Sequence, residues 1–248
     1  MDILKKARLY DKYANIQHEA ANSLIKEENA GSAIVRVLEI GCGTGNYTRF
    51  LTEKFNRASI IAVDKSKNMV EAAKKKLEGK NLEFVVADAE KLEFGGGFDL
   101  ITSNAAFQWF KDFERAMLNY KNALTENGVI LFSIFGPATF WELGHSLKAV
   151  LGSHIKIDAA DFLKKDEIEM TMKRYFRDVV VKEEAVKETF DSLAELLNKI
   201  RRTGDWGDAV KNTFLWKRDA FKKTEEIYKS NFGKIEASYQ IFFCRGIK

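Results

Sequence analysis

Short apolar runs rich in β-branched and aromatic residues recur along the first half of the chain. They are AIVRVLEI, ASIIAV, LEFVVA, FDLITS and GVILFSIF, at residues 33–40, 58–63, 82–87, 98–103 and 128–135. Between them, residues 45–55, 66–78 and 112–125 repeat apolar positions every three or four residues, which predicts helices. Because strand and helix alternate, we expect right-handed crossovers and a mainly parallel sheet covered on both faces.

A helical pattern also precedes the first strand. Within residues 2–27, spacings of three and four predict one or two helices with a common face, formed by Leu4, Ala7, Tyr10, Ala14, Gln17, Ala21 and Leu24. After residue 135 the rhythm changes to helical pieces that begin at Gly136 and Pro137 and extend to about Tyr175.

The last part of the chain predicts two more strands, RDVVVKEEAV at 177–186 and ASYQIFFCRG at 237–246, with helices at 190–202 and 208–230. We expect these two strands to pair antiparallel at one edge of the sheet. The prediction is therefore an α/β, Rossmann-like fold with a seven-stranded, mainly parallel, doubly wound sheet. We expect residues 1–248 to form a single domain, with a helical leader at 1–30, a core at 31–135, and cap insertions at 136–175 and 186–235.

Composition narrows the classes of function. The chain has 40 basic and 36 acidic residues among 248, a formal net charge of +4, which does not indicate a nucleic-acid-binding protein. Cys42 and Cys244 lie far apart and outside any metal-ligand spacing, so neither a disulfide framework nor a zinc site is predicted. The first residues lack the apolar run of a signal peptide, and no stretch would span a membrane, so we expect a cytoplasmic protein.

One glycine-rich segment, LEIGCGTGNYT at residues 38–48, follows the first predicted strand. Gly41, Gly43 and Gly45 make a turn whose floor is bare main chain, a feature that allows close approach of a ligand or only tight packing of the next helix. The dinucleotide fingerprint needs a further glycine at position 46, which is occupied by Asn46.

Polar residues end three of the predicted strands. Asp64 follows IIAV, Asp88 follows FVVA, and Asn104 follows DLITS. Each acidic residue alone is compatible with a helix N-cap. Together they lie at the edge where open α/β sheets bind ligands, and Asp64 is placed to accept hydrogen bonds from ribose hydroxyls.

These segments resemble the class I methyltransferases that use S-adenosylmethionine, over about residues 34–135. The resemblance is carried by Glu39, GCGTG, Asp64, VVADAEKL and FDLITSNAAFQW. It implies that Glu39 and the glycine loop face the methionine part of the cofactor. It further implies that Asp64 holds the ribose, that Asp88 and the backbone at Ala89 bind the adenine amino group, and that Asn104 lies near the reacting end. The predicted cofactor-binding set also includes Gln17, Cys42, Lys65 and Met69.

A narrower resemblance spans residues 10–243. The segments YDKYANIQHEAANSL, SNAAFQW, FGPATFWEL, FLKKDEIEMTM, LLNKIRRTG and SYQIFF are similar to the malonyl-[acyl-carrier protein] O-methyltransferases of biotin synthesis. The resemblance implies methylation of the free carboxylate of a malonyl group on an acidic acyl carrier protein or coenzyme A. Lys199, Arg201 and Arg202 are candidates for docking the carrier, or alternatively a solvated helix face.

This chemistry needs no acid or base from the protein. A malonyl carboxylate, with a pKa of ~4, is ionised at neutral pH and can attack a sulfonium methyl group directly. Catalysis then depends on orientation, and the positioning candidates are Tyr10, Asn104, Gln108 and Trp109. Tyr10 and Trp109 are equally compatible with ordinary packing. His18, His145 and His154 share no ligand spacing, and no metal site is predicted.

Two alternatives stay open at the level of sequence. One is a methyltransferase for a small free polycarboxylic acid such as trans-aconitate. The other is a module that binds S-adenosylmethionine without turnover. Methylation of a quinone carbon is less favoured, because a carbon acceptor requires a base that the sequence does not nominate.

Overall fold

The computed structural model describes residues 3–27, 34–91, 93–203 and 218–248. The described chain divides into two compact units. Unit 1 comprises Met1–Ile134, Lys165–Glu183 and Phe242–Lys248, and unit 2 comprises Phe135–Lys164 and Glu184–Ile241.

The elements follow the predicted order. The strands are β1 (Arg36–Ile40), β2 (Ser59–Asp64), β3 (Leu82–Val86), β4 (Phe98–Asn104), β5 (Leu124–Phe135), β6 (Arg177–Phe190) and β7 (Ile235–Ile247). The helices are α1 (Ile3–Tyr13), α2 (Asn15–Lys26), α3 (Asn46–Lys54), α4 (Lys67–Lys76), α5 (Phe113–Ala123), α6 (Trp141–Leu151), α7 (Lys165–Tyr175), α8 (Leu193–Thr203) and α9 (Arg218–Phe232). Short 3₁₀ turns lie at Phe107–Trp109 and Asp158–Asp161.

The strands form one seven-stranded sheet in the order β3-β2-β1-β4-β5-β7-β6. The pairs β1–β2, β1–β4, β2–β3 and β4–β5 are parallel. The strands β2 and β3 lie on one side of β1, and β4 and β5 lie on its other side. Because parallel crossovers are right-handed, this arrangement places helices on both faces and opens a crevice between the carboxyl ends of β1 and β4.

The last two strands complete the edge. The amide of Gly136 donates to the carbonyl of Gln240 at 2.9 Å, and the amide of Lys248 donates to that of Gly128 at 2.9 Å. Since one residue number rises as its partner's falls, β7 is antiparallel to β5. The Lys187–Glu236 ion pair at 2.7 Å shows β6 beside β7, and the predicted edge position of these two strands is confirmed.

The centre of unit 1 is apolar because its strands are covered on both sides. Leu38, Leu100 and Ile130, on β1, β4 and β5, are 0% exposed. Full burial of such side chains contributes about 1.5–3 kcal/mol each. Polar side chains begin the flanking helices: Asp112 accepts a hydrogen bond at 2.9 Å from the amide of Arg115 at the start of α5.

One helix of the predicted cap, α7, lies in the compact unit that also contains β1–β4. Residues 136–175 were expected to belong to the cap together, but α7 lies in unit 1. Its buried Met172 lies beside Gly246 of β7, and Arg174 pairs with Glu114 of α5 at 2.6 Å. The helical pattern of residues 136–175 predicted helices there, but it could not identify the element that each helix packs against. Of the helix predicted at 208–230, residues 208–217 lie outside the described residues.

Both cysteines are free and buried. No described helix is both long and apolar enough to cross a bilayer. Among the described His, Cys, Asp and Glu residues, no group of three is placed to hold a metal ion.

Candidate functional site

The glycine loop, residues 41–45, connects β1 to α3 at the crevice. Gly41, Gly43 and Gly45 have φ values of +74°, +53° and +85°, a region that side-chain-bearing residues rarely adopt. A Cβ atom on Gly41 would lie 2.4 Å from the Cβ of Ala106. The loop therefore passes directly against the turn that follows β4, and Gly41 is needed for this close approach.

Asp64, at the end of β2, fixes the middle of the loop. Its Oδ2 accepts a hydrogen bond at 2.9 Å from the amide of Gly43, and its Oδ1 accepts one at 2.8 Å from the amide of Ser66. A Cβ on Gly43 would meet nothing within 4 Å, so the backbone there borders open space. A carboxylate has about four acceptor sites, and Asp64 therefore retains capacity for further donors.

Glu39 is a buried carboxyl group beneath this loop. The residue is 1% exposed, and its Oε2 has no hydrogen-bond partner among the described residues. Burial raises the pKa of Glu39 to about 8; the nearby charge of Asp64 adds to the rise, and the Thr48 side chain opposes it. Such a group favours a cationic or donor ligand, which would satisfy the free oxygen and stabilise the ionised form.

Asp88 and Ala89 follow β3. Asp88 forms an exposed ion pair with Lys91 at 3.2 Å and accepts a hydrogen bond from the amide of Glu90 at 3.3 Å. The hydrogen bond from Lys91 is the main cause that lowers the pKa of Asp88. Ala89 is buried, and its carbonyl accepts a hydrogen bond at 3.0 Å from the hydroxyl of Tyr120.

Asn104 connects three elements at the other side of the crevice. Its Nδ2 donates to the carbonyl of Gln17 on α2 at 2.9 Å, and its Oδ1 accepts from the hydroxyl of Ser133 on β5 at 2.7 Å. Both ends of the amide are therefore engaged. Gln108 lies just beyond, where its Nε2 donates to the carbonyl of Ala105 at 2.7 Å. The Oε1 of Gln108 is buried and has no hydrogen-bond partner among the described residues.

The other predicted residues differ in how they can act. The Cys42 side chain packs in an apolar cluster with Ala62 and Phe84, so any contact with a ligand would come from its backbone. Lys65 is exposed and Met69 is half-buried at the start of α4. Tyr10 and Trp109 are half-buried, on α1 and the 3₁₀ turn respectively.

Asp11, on α1, was not singled out from the sequence. Its Oδ1 accepts hydrogen bonds from the hydroxyl of Thr44 at 2.5 Å and from Nδ2 of Asn46 at 3.0 Å. Its Oδ2 pairs with Lys76 at the end of α4. The sequence pattern points to the adjacent Tyr10, which shares a helix face with Gln17, because nothing in a linear pattern joins Asp11 to partners so distant in sequence.

The expectation for Lys199 is wrong. Its side chain is 4% exposed and forms an ion pair with Glu188 on β6. The ammonium also lies 5.8 Å from the ring centroid of Phe190 and 5.7 Å from that of Tyr239. A buried, paired ammonium presents no charge to a docking protein. Arg201, in contrast, is exposed, and Arg202 is half-buried.

Comparison of the sequence with known families and proteins gives consistent results. Residues 37–128 match the family described as "Methyltransferase domain". A malonyl-[acyl-carrier protein] O-methyltransferase of Bacillus cereus is 34% identical over 244 residues, which cover 94% of this chain and 90% of that protein. One from Acetivibrio thermocellus is 32% identical over 264 residues, covering 100% of this chain and 92% of that protein.

Solved structures share the fold. A putative methyltransferase from Bacillus halodurans C-125 superposes with a TM-score of 0.65 at 15% identity, covering 93% of this chain and 99% of that one. A phosphoethanolamine N-methyltransferase of Haemonchus contortus, in complex with S-adenosyl-L-methionine, gives a TM-score of 0.58 at 21% identity, covering 93% of this chain and 52% of that one.

Proposed function

We propose a function and a site for this chain, which belongs to the malonyl-[acyl-carrier protein] O-methyltransferase family. It transfers a methyl group to the free carboxylate of a malonyl group on an acyl carrier protein, and the product is the methyl ester. S-adenosylmethionine supplies an electrophilic methyl group on a sulfonium sulfur. The unpaired oxygen of buried Glu39 is the observation that carries the site assignment.

The residues present fit this cofactor. The α-ammonium of its methionine part is a cation with three donors, which suits the free Oε2 of Glu39. The backbone at Gly43 borders open space, so the loop can pass close to a ligand. Binding there would replace a costly buried carboxyl group with a paired one.

Asp64 and Asp88 are proposed to hold the nucleoside part. Asp64 is already fixed by the amides of Gly43 and Ser66, so its carboxylate is oriented before the ribose hydroxyls arrive. Such orientation reduces the entropy lost on binding. Asp88 and the backbone at Ala89, one strand further along the sheet, are proposed to contact the adenine amino group.

The acceptor carboxylate requires orientation rather than activation. With a pKa of ~4 it is ionised at neutral pH, so the protein need not remove a proton. His18, His145 and His154 are exposed, and the proposal gives none of them a role as a base. We propose that Asn104, Gln108, Trp109 and Tyr10 shape the reacting end.

Exclusion of water supplies a second contribution. The sulfonium and the carboxylate have opposite charges, and methyl transfer converts them into a neutral thioether and a neutral ester. A low-dielectric site strengthens every interaction between fixed charges and removes the hydration of the attacking oxygen. We propose that the leader provides this cover, since Asn104 binds Gln17 of α2 and Thr44 binds Asp11 of α1.

A transfer assay tests the proposal. Purified protein is incubated with methyl-labelled S-adenosylmethionine and malonyl-acyl carrier protein, with acetyl-acyl carrier protein as the control that lacks a free carboxylate. We expect base-labile label on the malonyl carrier alone. A parallel incubation contains trans-aconitate as the acceptor, and label on that free acid alone would favour the small-acid alternative. Binding of the cofactor without transfer to any carboxylate would favour a non-catalytic module.

A further inference from the structure

Asp11 divides its two oxygens between different partners. Oδ1 accepts from Thr44 and Asn46, which belong to the glycine loop and the start of α3, while Oδ2 pairs with Lys76 of α4. One side chain of α1 therefore fixes the loop and anchors itself to the neighbouring helix. The Asp11 side chain is 25% exposed, so these interactions are only partly screened by water.

The loop position that Asp11 holds is flanked by two glycines and is therefore flexible in its backbone dihedral angles. Thr44 lies between Gly43 and Gly45, both in the positive-φ region, and is 1% exposed. Glycines on both sides give the backbone many alternative conformations, which must be lost before a ligand can bind. The short hydrogen bond from Thr44 to Asp11 selects one of these conformations.

The leader is also tied at the opposite side of the crevice. Asn104, at the end of β4, donates to the carbonyl of Gln17 on α2. The two contacts, at Asp11 and at Gln17, lie on α1 and α2 and reach the carboxyl ends of the adjacent strands β1 and β4. A ligand that enters this crevice therefore lies next to α1 and α2, which are hydrogen-bonded to residues on both sides of the crevice.

We propose that Asp11 is a positioning residue for S-adenosylmethionine. It holds the leader against the centre of the glycine loop, presets the loop for the cofactor, and slows the departure of the spent cofactor. The proposal rests on the cofactor site argued above, but it concerns a residue that does not itself contact the reacting atoms. Its effect is therefore on cofactor affinity and exchange rather than on the acceptor.

The division of the two oxygens gives a sharp set of variants. Asp11→Ala removes all three interactions. Asp11→Asn keeps an oxygen for Thr44 and Asn46 but loses the ion pair, and Lys76→Met loses the same ion pair from the other side. Lys75→Met, at the exposed neighbouring position, is the matched control for loss of a positive charge on α4.

Binding of S-adenosylhomocysteine is measured by calorimetry, and its dissociation rate by stopped-flow displacement. We expect Asp11→Ala to bind about tenfold more weakly, with most of the change in the dissociation rate. Asp11→Asn and Lys76→Met should resemble each other, with a change of about threefold, and Lys75→Met should match the wild type. The KM for malonyl-acyl carrier protein should stay within about twofold in all four variants.

A double-mutant cycle with Thr44→Val isolates the contact. If Asp11 acts through Thr44, adding Asp11→Ala to Thr44→Val should weaken binding by much less than tenfold. A purely structural Asp11 would lower the melting temperature of the ligand-free protein and leave affinity within twofold, and that result would overturn the proposal. Asp11→Asn supplies the decision if Asp11→Ala does not fold. Failure of the wild type to bind S-adenosylhomocysteine would instead refute the proposed function, and this inference with it.

Discussion

At the scale of single residues, the buried carboxyl group of Glu39 reduces the stability of the ligand-free protein. Folding buries its carboxyl group and leaves one oxygen without a partner among the described residues. Its pKa rises from 4.5 to about 8 because burial disfavours the charged form. The group is therefore protonated in the ligand-free protein at neutral pH, and a bound cation would reverse that state.

The cost of ionising buried Glu39 should be measurable in the stability of the ligand-free protein. Between pH 4.5 and about 8 the folded protein binds a proton at Glu39 that the unfolded chain does not, so the contribution of Glu39 to the free energy of unfolding falls as pH rises. Glu39→Gln cannot ionise and escapes that fall. We expect its advantage in melting temperature over the wild type to grow by several degrees from pH 5 to pH 8.5, measured by circular dichroism. Glu53→Gln, at a side chain that is 66% exposed, is the control; parallel curves for Glu39→Gln and the wild type would contradict the argument.

Cofactor binding should also release a proton. The incoming ammonium favours ionised Glu39, so at pH 7 binding of S-adenosylhomocysteine should expel up to about one proton. Calorimetry in phosphate and in Tris should give binding enthalpies that differ in proportion to buffer ionisation. The difference should vanish in Glu39→Gln, which has no carboxyl proton to release. A buffer-independent enthalpy at pH 7 would exclude Glu39 as the partner of the ammonium.

Asp64 should contribute more to binding than to folding. Asp64→Ala is expected to weaken binding of S-adenosylhomocysteine by ~1.5–3 kcal/mol, through lost hydrogen bonds to a charged acceptor. Asp64→Asn retains one acceptor oxygen and should lose less. The measurement is calorimetric titration of both variants. Unchanged affinity in Asp64→Ala would remove the ribose assignment.

At the scale of elements, the turn after β1 is in direct contact with the ends of the neighbouring strands. Gly41 lies against Ala106, and Asp64 holds the amide of Gly43. The strand-to-helix turn could be expected from the glycine pattern, and so could the acidic residue that ends β2. The contact with Ala106 could not, because it joins segments that meet only when β1 and β4 pair.

A pair of glycine substitutions separates conformation from contact. Gly41→Ala incurs both positive φ and a Cβ clash with Ala106, whereas Gly43→Ala incurs only positive φ because its Cβ would meet open space. We expect Gly43→Ala to cost about 1–2 kcal/mol of stability and Gly41→Ala clearly more. Denaturant unfolding gives both values. Ala106→Gly should recover part of the loss in Gly41→Ala and none of the loss in Gly43→Ala; equal recovery would show that the clash is not the cause.

At the scale of the whole molecule, carrier recognition depends on which charges remain at the surface. The described chain keeps Arg201 exposed and withdraws Lys199 into an ion pair with Glu188. Docking of the acidic carrier by Arg201, assisted by Arg202, stays a prediction. Exposed charges of this kind act mainly on the association rate, and the effect weakens with salt.

Reversal of these charges tests this prediction. Arg201→Glu with Arg202→Glu should lower kcat/KM for malonyl-acyl carrier protein by about tenfold at low salt, with a smaller loss at high salt. Activity on malonyl-coenzyme A should change little, because that substrate lacks the acidic protein surface. The measurement is initial-rate kinetics with both substrates, and Lys148→Glu, an exposed charge on α6, is the control. An equal loss on both substrates would reject a docking role.

The sequence by itself determined the order of the elements and the edge that carries the polar residues. Strand and helix periods are local properties, and parallel strands place Asp64, Asp88 and Asn104 at the same edge once the alternation is known. Only the tertiary structure decided that Asp11 holds Thr44, that Lys199 is buried, and that α7 packs with unit 1. These outcomes depend on which surfaces meet after folding. The period of a segment can be read from neighbouring residues, but the partner of a side chain cannot.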